Sequence, residues 1–387
     1  MASLPLFPVT MVGSWPRTPA LLRAQKQKRI NKLSVDEFER LADAAIADLI
    51  RVQHELGIDI ITDGEQRRDN FYSFVAEKLD GVRLMTLAEM LDIVEDKAGF
   101  EQILQTLDVP AYSLSNPTCV GRISRRRPLA VDELRFLKRT SDRPVKIPLP
   151  GPYLLTRAMF VAEVTRQAYP TKEALAEDVV AILRAEVADL IAEGVDFIQL
   201  DEPVLTEVAF NPGKTRTFMC ASLAARGDPS EELEFARTLI NQVVEGMSGP
   251  VFGVHVCRGN WSQNESILLE GNYQPLASCF HQLKIDQLVL EYATRRAGDL
   301  LHFPGKSLGL GVVNPRTPEV ESVDAIVACV KKALTMYAPR ELYLNPDCGF
   351  GTFSNSPVNQ SDIAIAKMKA IVTASRRLRA EYEMEQS

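Results

Sequence analysis

The chain has 387 residues, of which 46% are hydrophobic and 25% charged, a composition typical of a globular protein with a sizeable core. Its formal net charge of -7 argues against a sequence-independent nucleic-acid binder, which needs a basic face. We find neither a signal-peptide pattern nor an apolar run long enough to span a membrane, so we expect a cytoplasmic protein without a membrane partner.

Eight apolar segments end abruptly in polar or Gly- and Pro-containing residues, and helical patterns separate most of them. In chain order they occupy residues 10–16, 59–65, 145–152, 197–203, 251–257, 287–291, 307–313 and 341–349. This alternation predicts an α/β fold, a (β/α)8 TIM barrel with insertions, in a single domain over residues 1–387. Almost every unusual polar residue lies at the carboxyl end of its strand, where such barrels carry their chemistry.

Helix start and stop signals lie between these segments. Ser34 followed by Glu37 has the pattern of a capping box and predicts the start of an amphipathic helix. A long helical pattern runs from Thr171 to Glu193 and ends at Gly194, a residue suited to terminate a helix. Further helices are predicted around residues 230–246 and from about residue 360 onward.

The stretch 77–140 is less regular and holds the basic run Arg125-Arg126-Arg127. Together with Arg122 and Arg157, this run could form a basic patch for an anionic donor. An ion-paired surface loop is an equally good interpretation of the same residues.

The segment 251–257 ends in two metal-ligating residues, His255 and Cys257. Residues two apart on a strand lie on the same face, so both side chains can point at one ion. Glu291 and Cys348 lie at the ends of two later strands of the same predicted barrel. One His, two Cys and one Glu form a ligand set that suits Zn²⁺, which accepts N, S and O donors in tetrahedral geometry.

The remaining cysteines show no ligand spacing. In a large chain without a secretion signal, six widely spaced cysteines do not indicate a disulfide framework. We therefore expect Cys220, Cys279 and Cys329 to be reduced core residues.

Several motifs resemble a known family in order and at barrel spacing. They are Val12-Gly13-Ser14-Trp15-Pro16-Arg17, Asp63-Gly64-Glu65, Gln199-Leu200-Asp201-Glu202-Pro203, His255-Val256-Cys257 and Asn345-Pro346-Asp347-Cys348-Gly349. With them the chain resembles the C-terminal catalytic barrel of the cobalamin-independent methionine synthases over nearly its whole length.

The resemblance implies an enzyme that transfers a methyl group to homocysteine. It implies a catalytic zinc held by His255, Cys257, Glu291 and Cys348. It also implies that homocysteine is bound by Val12, Gly13, Ser14, Glu65 and Asp201. An α-ammonium group needs carboxylates, and an α-carboxylate needs hydrogen-bond donors, which these residue types supply.

An alternative role remains open for the two carboxylates. Glu65 and Asp201 could instead form ion pairs at the barrel rim with Arg17, Arg67 or Arg68.

The donor side departs from the family pattern. Glu207 matches an acidic position of the family on this side. The family has an Arg-Cys pair for folate, of which this chain keeps the cysteine, Cys119, and has Thr118 in place of the arginine. Ala158 stands where the longer enzymes have a tryptophan that stacks on the pterin. The catalytic acid histidine is replaced by Arg316, which cannot release and recover a proton near pH 7.

Three functions therefore remain possible. The first is zinc-dependent methyl transfer to homocysteine from a folate-type donor or a methylcorrinoid. The second is alkyl transfer to another small thiol, as in epoxyalkane:coenzyme M transferases, although Glu65 and Asp201 favour an amino-acid thiol. The third is a catalytically inactive zinc-binding barrel with a regulatory role.

Overall fold

The structure is a computed structural model, and it describes residues 4–93, 115–210 and 227–386. Its strands span Leu79–Thr86 (β1), Ser115–Arg125 (β2), Lys146–Pro150 (β3), Phe197–Asp201 (β4), Val251–Val256 (β5), Gln287–Leu290 (β6), Ser307–Val313 (β7) and Leu342–Pro346 (β8). Strands β3 to β8 form one parallel sheet in sequence order, and β1 and β2 form a separate antiparallel pair.

Single parallel bridges connect the two edge strands of the six-stranded sheet through segments 9–10 and 60–61. These bridges join Val9 to Leu344, Thr10 to Ile60, and Ile61 to Val145. The eight predicted segments are thus neighbours in the order of a (β/α)8 barrel, as the sequence predicts. The first two are much shorter than expected, because each is reduced to bridging residues.

The prolines of β3 explain why its pairing with segment 60–61 is so limited. The N–H of Lys146 donates to the carbonyl oxygen of Ile61 at 2.9 Å. Successive residues of a strand alternate in the side to which they donate, so Pro148 and Pro150 fall on the same side as Lys146. Proline has no N–H to donate, so β3 offers no donor on that side beyond Lys146.

Helices connect the parallel strands and pack around them. They span Pro19–Arg29 (α1), Val35–Leu56 (α2), Leu87–Ile93 (α3), Val131–Thr140 (α4), Pro152–Met159 (α5), Ala162–Thr165 (α6), Lys172–Ala192 (α7), Val204–Phe210 (α8), Pro229–Val244 (α9), Ala277–Gln282 (α10), Val323–Ala333 (α11) and Ser361–Gln386 (α12). One continuous cluster of buried apolar side chains joins the strands to the surrounding helices. None of the described helices is both long and apolar enough to cross a membrane.

The predicted helix ends are confirmed. Ser34 Oγ accepts the N–H of Glu37 at 3.2 Å, and Glu37 Oε2 accepts the N–H of Ser34 at 3.3 Å, which completes the capping box of α2. Thr171 caps α7 by accepting the N–H of Ala174 at 3.3 Å, and Gly194 just beyond this helix has φ 75°. Ser34 and Thr171 each accept an N–H that has no partner within its helix, and Gly194 allows the chain to turn after α7.

The basic run lies at the end of β2 and is paired with acidic side chains. Arg125 contacts Glu186 at 2.9 Å and also Asp189, both on α7. Arg122 contacts Asp178 at 3.4 Å on the exposed surface. Arg157 is buried in α5 and contacts Glu207 at 3.7 Å. The interpretation of Arg122 and Arg125 as ion-paired surface residues therefore fits.

Two of the three predicted core cysteines can be placed. Cys279 is buried on α10, and Cys329 is partly buried on α11 against the main apolar cluster. Cys220 lies outside the described residues.

Candidate metal and substrate site

A cavity that is partly open to solvent lies at the carboxyl ends of the parallel strands. The predicted site residues that line it are Val12, Ser14, Glu65, Asp201, His255, Cys257 and Cys348. Gly13 lies directly beneath Glu65, because a Cβ at position 13 would be 2.3 Å from Glu65 Oε1. The structure thus brings most of the predicted metal and amino-acid residues into one space.

His255, Cys257 and Cys348 form a group that could hold a metal ion. Their ligand atoms all lie within 4.8 Å of one another, and all three side chains are buried. His255 and Cys257 come from the end of β5, whereas Cys348 follows β8. Soft sulfur and imidazole donors at this spacing suit a transition-metal ion.

The orientation of His255 fits metal binding. Its Nδ1 lies 3.0 Å from the carbonyl oxygen of Val289 on the neighbouring strand β6. A hydrogen bond from Nδ1 to this carbonyl fixes the tautomer in which Nε2 carries a free lone pair. Nε2 is buried without a hydrogen-bond partner of its own in the described part of the chain. A metal ion beside the two cysteines would satisfy this atom.

The two cysteines share a proton. A hydrogen bond from the Cys348 thiol lowers the pKa of Cys257 to about 5, despite the opposing effect of burial. The same hydrogen bond raises the pKa of Cys348 well above its usual value. Burial lowers the pKa of His255, but the neighbouring Cys257 outweighs it and raises that pKa to about 9. Without a metal ion, these shifts favour a Cys257 thiolate beside a protonated His255, and a bound ion would replace the proton on Nε2.

Glu291 directly follows β6, but its carboxylate does not join this group. Its Oε2 accepts the backbone N–H of Arg258 at 2.9 Å, and its Oε1 accepts Nη1 of Arg316 at 3.1 Å. Burial raises the pKa of Glu291, but Arg316 and Arg258 outweigh this effect and lower it overall. The role of Glu291 as a fourth ligand therefore stays a prediction.

Arg316 is fully buried at the centre of an acidic cluster. Besides Glu291, its guanidinium lies 3.4 Å from Glu265 and 3.7 Å from Asp347. Asp347 immediately precedes Cys348 in the loop after β8. The residue predicted to replace a catalytic histidine is therefore a permanently charged group held by three carboxylates.

A strained turn positions Glu65. Gly64 has φ 69° and Glu65 has φ 53°, a conformation that residues with a side chain seldom adopt. Asp63 Oδ1 stabilises the turn by accepting the N–H of Glu65 at 2.9 Å. Strain of this kind is retained where the surrounding structure requires a particular side-chain direction. Here it directs the Glu65 carboxylate over Gly13.

Glu65 and Asp201 are two buried carboxylates in the same cavity. Burial raises the pKa of Asp201 to about 7 and also raises that of Glu65, although Arg68 and Arg17 oppose the second shift. Gln199 donates to Asp201 Oδ1 at 2.8 Å, whereas Glu65 Oε2 has no hydrogen-bond partner in the described residues. Two such groups favour a bound cation, because it would stabilise the ionised form of both.

Apolar and amide side chains complete the cavity wall, and the sequence did not single them out. The aromatic side chains of this wall are Phe71, Tyr72, Trp261 and Phe353. A bridge between Asn70 and Phe353 brings two of the contributing loops together. The only sequence signal was the Gly-containing turn after Cys257, whose Gly259 has φ 104° and lies against Trp261.

Asn260 connects the loops that carry the two cysteines. Its Nδ2 donates to the carbonyl oxygen of Gly349 at 2.6 Å and to Oγ1 of Thr352 at 2.8 Å. Gly349 is adjacent to Cys348, and Asn260 is three residues beyond Cys257. This side chain therefore helps to hold the two candidate sulfur ligands together.

The predicted donor-side residues lie elsewhere. Glu207 is buried on α8, with Oε1 3.7 Å from Nη2 of Arg157. Cys119 is buried on β2, where its Sγ donates to the carbonyl oxygen of Gly121 at 3.1 Å and burial raises its pKa to about 11. Neither side chain lines the cavity described above.

The chain is similar to known proteins over nearly its whole length. The family described as cobalamin-independent synthase, catalytic domain, matches residues 7–376. A methionine synthase of Pyrococcus furiosus is 30% identical over 386 residues, which cover 99% of this chain and 96% of the relative. A 5-methyltetrahydropteroyltriglutamate–homocysteine methyltransferase of Thermotoga petrophila is 26% identical over 98% of this chain but only 45% of its own length.

A solved structure supports the fold. A B12-independent methionine synthase from Shewanella sp. W3-18-1, in complex with selenomethionine, superimposes with a TM-score of 0.74 at 23% identity. The match covers 98% of this chain and 99% of the other. The two chains therefore share an architecture from end to end, and the predicted TIM-barrel class is confirmed.

Proposed function

We propose that this chain, which belongs to the cobalamin-independent synthase family, is a zinc-dependent methyltransferase that converts homocysteine to methionine. One observation carries this proposal. A His-Cys-Cys group suited to activate a thiol shares a cavity with two buried carboxylates suited to bind an ammonium group. Homocysteine carries a thiol and an ammonium group on one short skeleton.

His255, Cys257 and Cys348 would hold the zinc ion. A free thiol has a pKa near 8.5, so little of it is thiolate at neutral pH. Bound zinc would supply the missing activation by favouring the deprotonated sulfur. The Val289 carbonyl keeps His255 in the ligating tautomer, and Asn260 keeps the two cysteine loops together.

Glu65 and Asp201 would bind the α-ammonium group of homocysteine. The unpaired Oε2 of Glu65 and the raised pKa of Asp201 both indicate carboxylates that burial leaves incompletely compensated by the neighbouring cations. Backbone N–H groups and the hydroxyl in the Val12–Ser14 turn would bind the α-carboxylate. The amino acid would then lie with its side chain directed toward the metal ligands.

The methyl donor is proposed only as a class, a folate or a methylcorrinoid. Arg316 is held by three carboxylates and keeps its proton at any working pH, so it does not protonate a leaving nitrogen. Glu207 and Cys119 stay predictions as donor contacts, and the single-domain organisation likewise stays a prediction.

Metal analysis combined with a thiol titration tests the proposal. We expect about one zinc per chain, and we expect homocysteine to change the ligation of a substituted Co²⁺ ion, seen as a new sulfur-to-metal absorption band. Protein that binds no zinc, or a bound ion whose spectrum ignores homocysteine, would rule it out. A sulfonate thiol serves as the comparison, because stronger binding of that thiol would favour the coenzyme M type of reaction.

A donor screen tests the reaction itself. With homocysteine fixed, folate monoglutamate, folate polyglutamate, methylcobalamin and S-methyl compounds are offered in turn. Methionine formed from any of these supports a methyltransferase and identifies its donor. Zinc binding without turnover from any donor would instead support the inactive regulatory barrel.

A further inference from the structure

We infer that two buried side chains beneath the cavity, Lys146 and Gln199, hold in place both groups that would bind the amino-acid end of homocysteine. These groups are the Val12–Ser14 turn and the Asp201 carboxylate. The inference rests on the proposed function, because it concerns the same amino-acid site. Neither Lys146 nor Gln199 lines the cavity, so both are assigned as positioning residues.

Gln199 joins the two groups through the nitrogen of its side-chain amide. Nε2 donates to the carbonyl oxygen of Val12 at 3.1 Å and to Oδ1 of Asp201 at 2.8 Å. Gln199 and Asp201 lie two residues apart on β4, whereas Val12 follows the first segment of the barrel. Both N–H groups of one amide are therefore used to set the distance between the turn and the carboxylate.

Lys146 on β3 fixes the orientation of this amide. Its Nζ donates to Oε1 of Gln199 at 3.3 Å and also to the carbonyl oxygen of Met11. An ammonium group donates hydrogen bonds and cannot accept them, so the amide turns its oxygen toward Lys146. The amide nitrogen is then left to face Val12 and Asp201.

The turn gains support from these contacts that backbone pairing supplies only sparsely in the described part of the chain. Segment 9–10 pairs with its neighbours through single bridges, whereas β4 belongs to the continuous parallel sheet. The bonds from Lys146 and Gln199 to two successive carbonyls tie the end of the first segment to β3 and β4. The N–H groups of the turn are thereby kept at a fixed distance from Asp201.

Lys146 also places a positive charge beneath the two carboxylates of the site. It is 3% exposed, and burial lowers its pKa to about 7, although the negative charges of Asp201 and Glu65 oppose this shift. A cation at this position stabilises the ionised carboxylates that an α-ammonium group needs. The hydrogen bonds of Lys146 go to neutral oxygens of Met11 and Gln199, so both carboxylates stay available to a ligand.

Methionine binding to the zinc-loaded protein, measured by calorimetry, tests the inference. Lys146→Met removes the cation at similar side-chain length, and we expect the affinity for methionine to fall by about 10-fold or more. The matched control is Lys306→Met. Lys306 is another buried lysine, at the opposite end of the parallel strands, and its Nζ donates to the carbonyl oxygens of Leu283 and Ile285 at 2.7 Å and 3.3 Å. This control should bind methionine within about 2-fold of wild type.

The spectrum of the Co²⁺ protein separates positioning from a general loss of structure. Saturating homocysteine should give Lys146→Met the same sulfur-to-metal band as wild type, but at about 10-fold higher homocysteine concentration. Zinc affinity should stay within about 3-fold of wild type. A displaced band, or a loss of zinc affinity as large as the loss of methionine affinity, would assign Lys146 a merely structural role and overturn the inference.

Two analogues of methionine locate the effect at the amino-acid end. 3-Methylthiopropylamine lacks the carboxylate, and 4-methylthiobutanoate lacks the ammonium group. Lys146→Met should bind both analogues more weakly than wild type does, because the turn and Asp201 lose their alignment together. A loss confined to one analogue would contradict a role that is shared between the two groups.

Gln199→Met tests the other half of the link and decides the question if Lys146→Met does not fold. It removes both N–H donors and should weaken methionine binding to a similar extent. Because Lys146 acts through the Gln199 amide, the double variant should bind methionine no more than about 3-fold more weakly than Gln199→Met. Unaltered methionine affinity in folded Gln199→Met would overturn this inference alone. A wild-type protein that binds neither zinc nor methionine would overturn the proposed function as well.

Discussion

Cys348 and Asn260 belong to loops that follow different strands, yet Asn260 Nδ2 lies 2.6 Å from the carbonyl oxygen of Gly349, the residue next to Cys348. The loop after β5 already carries Cys257, so this hydrogen bond holds the two sulfur ligands at a fixed spacing. The candidate metal group is therefore prearranged by the fold, and an ion would not need to gather its ligands.

The first prediction concerns the sulfur ligands. Replacing Cys348 by Ala should lower zinc affinity by more than about 100-fold, because a first-sphere ligand contributes more than the 10- to 100-fold typical of its supporting contacts. Competition with a chromogenic chelator measures the change. The control is Cys119→Ala, which removes a buried thiol far along the chain on β2 and should leave zinc affinity unaltered. Equal losses in both variants would contradict the assignment.

Metal removal should also reduce stability. A ligand that binds only the folded state stabilises it by about 2.7 kcal/mol when its free concentration is 100 times its dissociation constant. We therefore expect a chelator to lower Tm in a thermal scan and added zinc to restore it. In the Cys348→Ala protein the same additions should leave Tm unmoved. A wild-type Tm that changes with neither the chelator nor added zinc would show that the group holds no metal.

The binding of the amino acid should depend on pH through Asp201. Burial raises the pKa of this carboxyl to about 7, so its ionised form becomes available only as pH rises through that value. An ammonium group needs the ionised form. The affinity for methionine, which has no thiol to titrate, should therefore increase by about 10-fold from pH 6 to pH 8 in calorimetric titrations.

A matched variant identifies the group responsible. Asp201→Asn carries no titrating carboxyl and should bind methionine more weakly with a nearly flat dependence on pH. A variant that retains the full pH dependence would assign the titration to another residue.

Two adjacent arginines should differ sharply in their contribution to stability. Arg68 contacts Glu133 at 3.1 Å and 2.5 Å, and both side chains are at most 4% exposed. Arg67 contacts Glu39 at 2.7 Å, but that carboxylate is 44% exposed. We expect Arg68→Met to cost about 3–5 kcal/mol of unfolding free energy, because it leaves a buried carboxylate unpaired. Arg67→Met should cost about 1 kcal/mol or less.

Chemical denaturation of the two variants measures this difference. Similar losses for both would mean that the burial of Glu133 does not determine the cost. Arg68→Met should also raise the pKa of Glu65 further, since Arg68 is the strongest influence opposing the effect of burial on that carboxyl.

The alternation of apolar segments and helical patterns was sufficient to predict the fold class. Strand ends are marked by local sequence, and that is why residues such as Asp201 and Cys257 could be placed at one rim. The shortness of the first two strands could not be predicted, because it depends on which side of β3 faces segment 60–61. Only the folded register places the missing N–H groups of Pro148 and Pro150 on that side.

The candidate site was predicted well where a residue type has few possible roles. His255 and Cys257 on one strand are such a case, and Cys348 joined them as expected. Glu291 was harder, because a carboxylate can bind either a metal or an arginine. Its contact with Arg316, 25 positions away, forms only in the tertiary fold, and its role as a ligand stays a prediction. The aromatic wall was missed for the same reason, since its members come from separate loops.

The sparse pairing of segments 9–10 and 60–61 determines where local opening of the molecule begins. Amide hydrogens there are secured by isolated bridges, whereas those of β4 to β7 belong to a continuous ladder. Sub-global opening begins where cross-strand bonds are fewest, so deuterium should enter the first two segments well before the rest. Ser14 and Glu65 lie just beyond these segments, and His255 and Cys257 lie at the end of the ladder. The side of the cavity formed by Ser14 and Glu65 can thus open and close locally, while the side formed by Asp201, His255 and Cys257 stays in place.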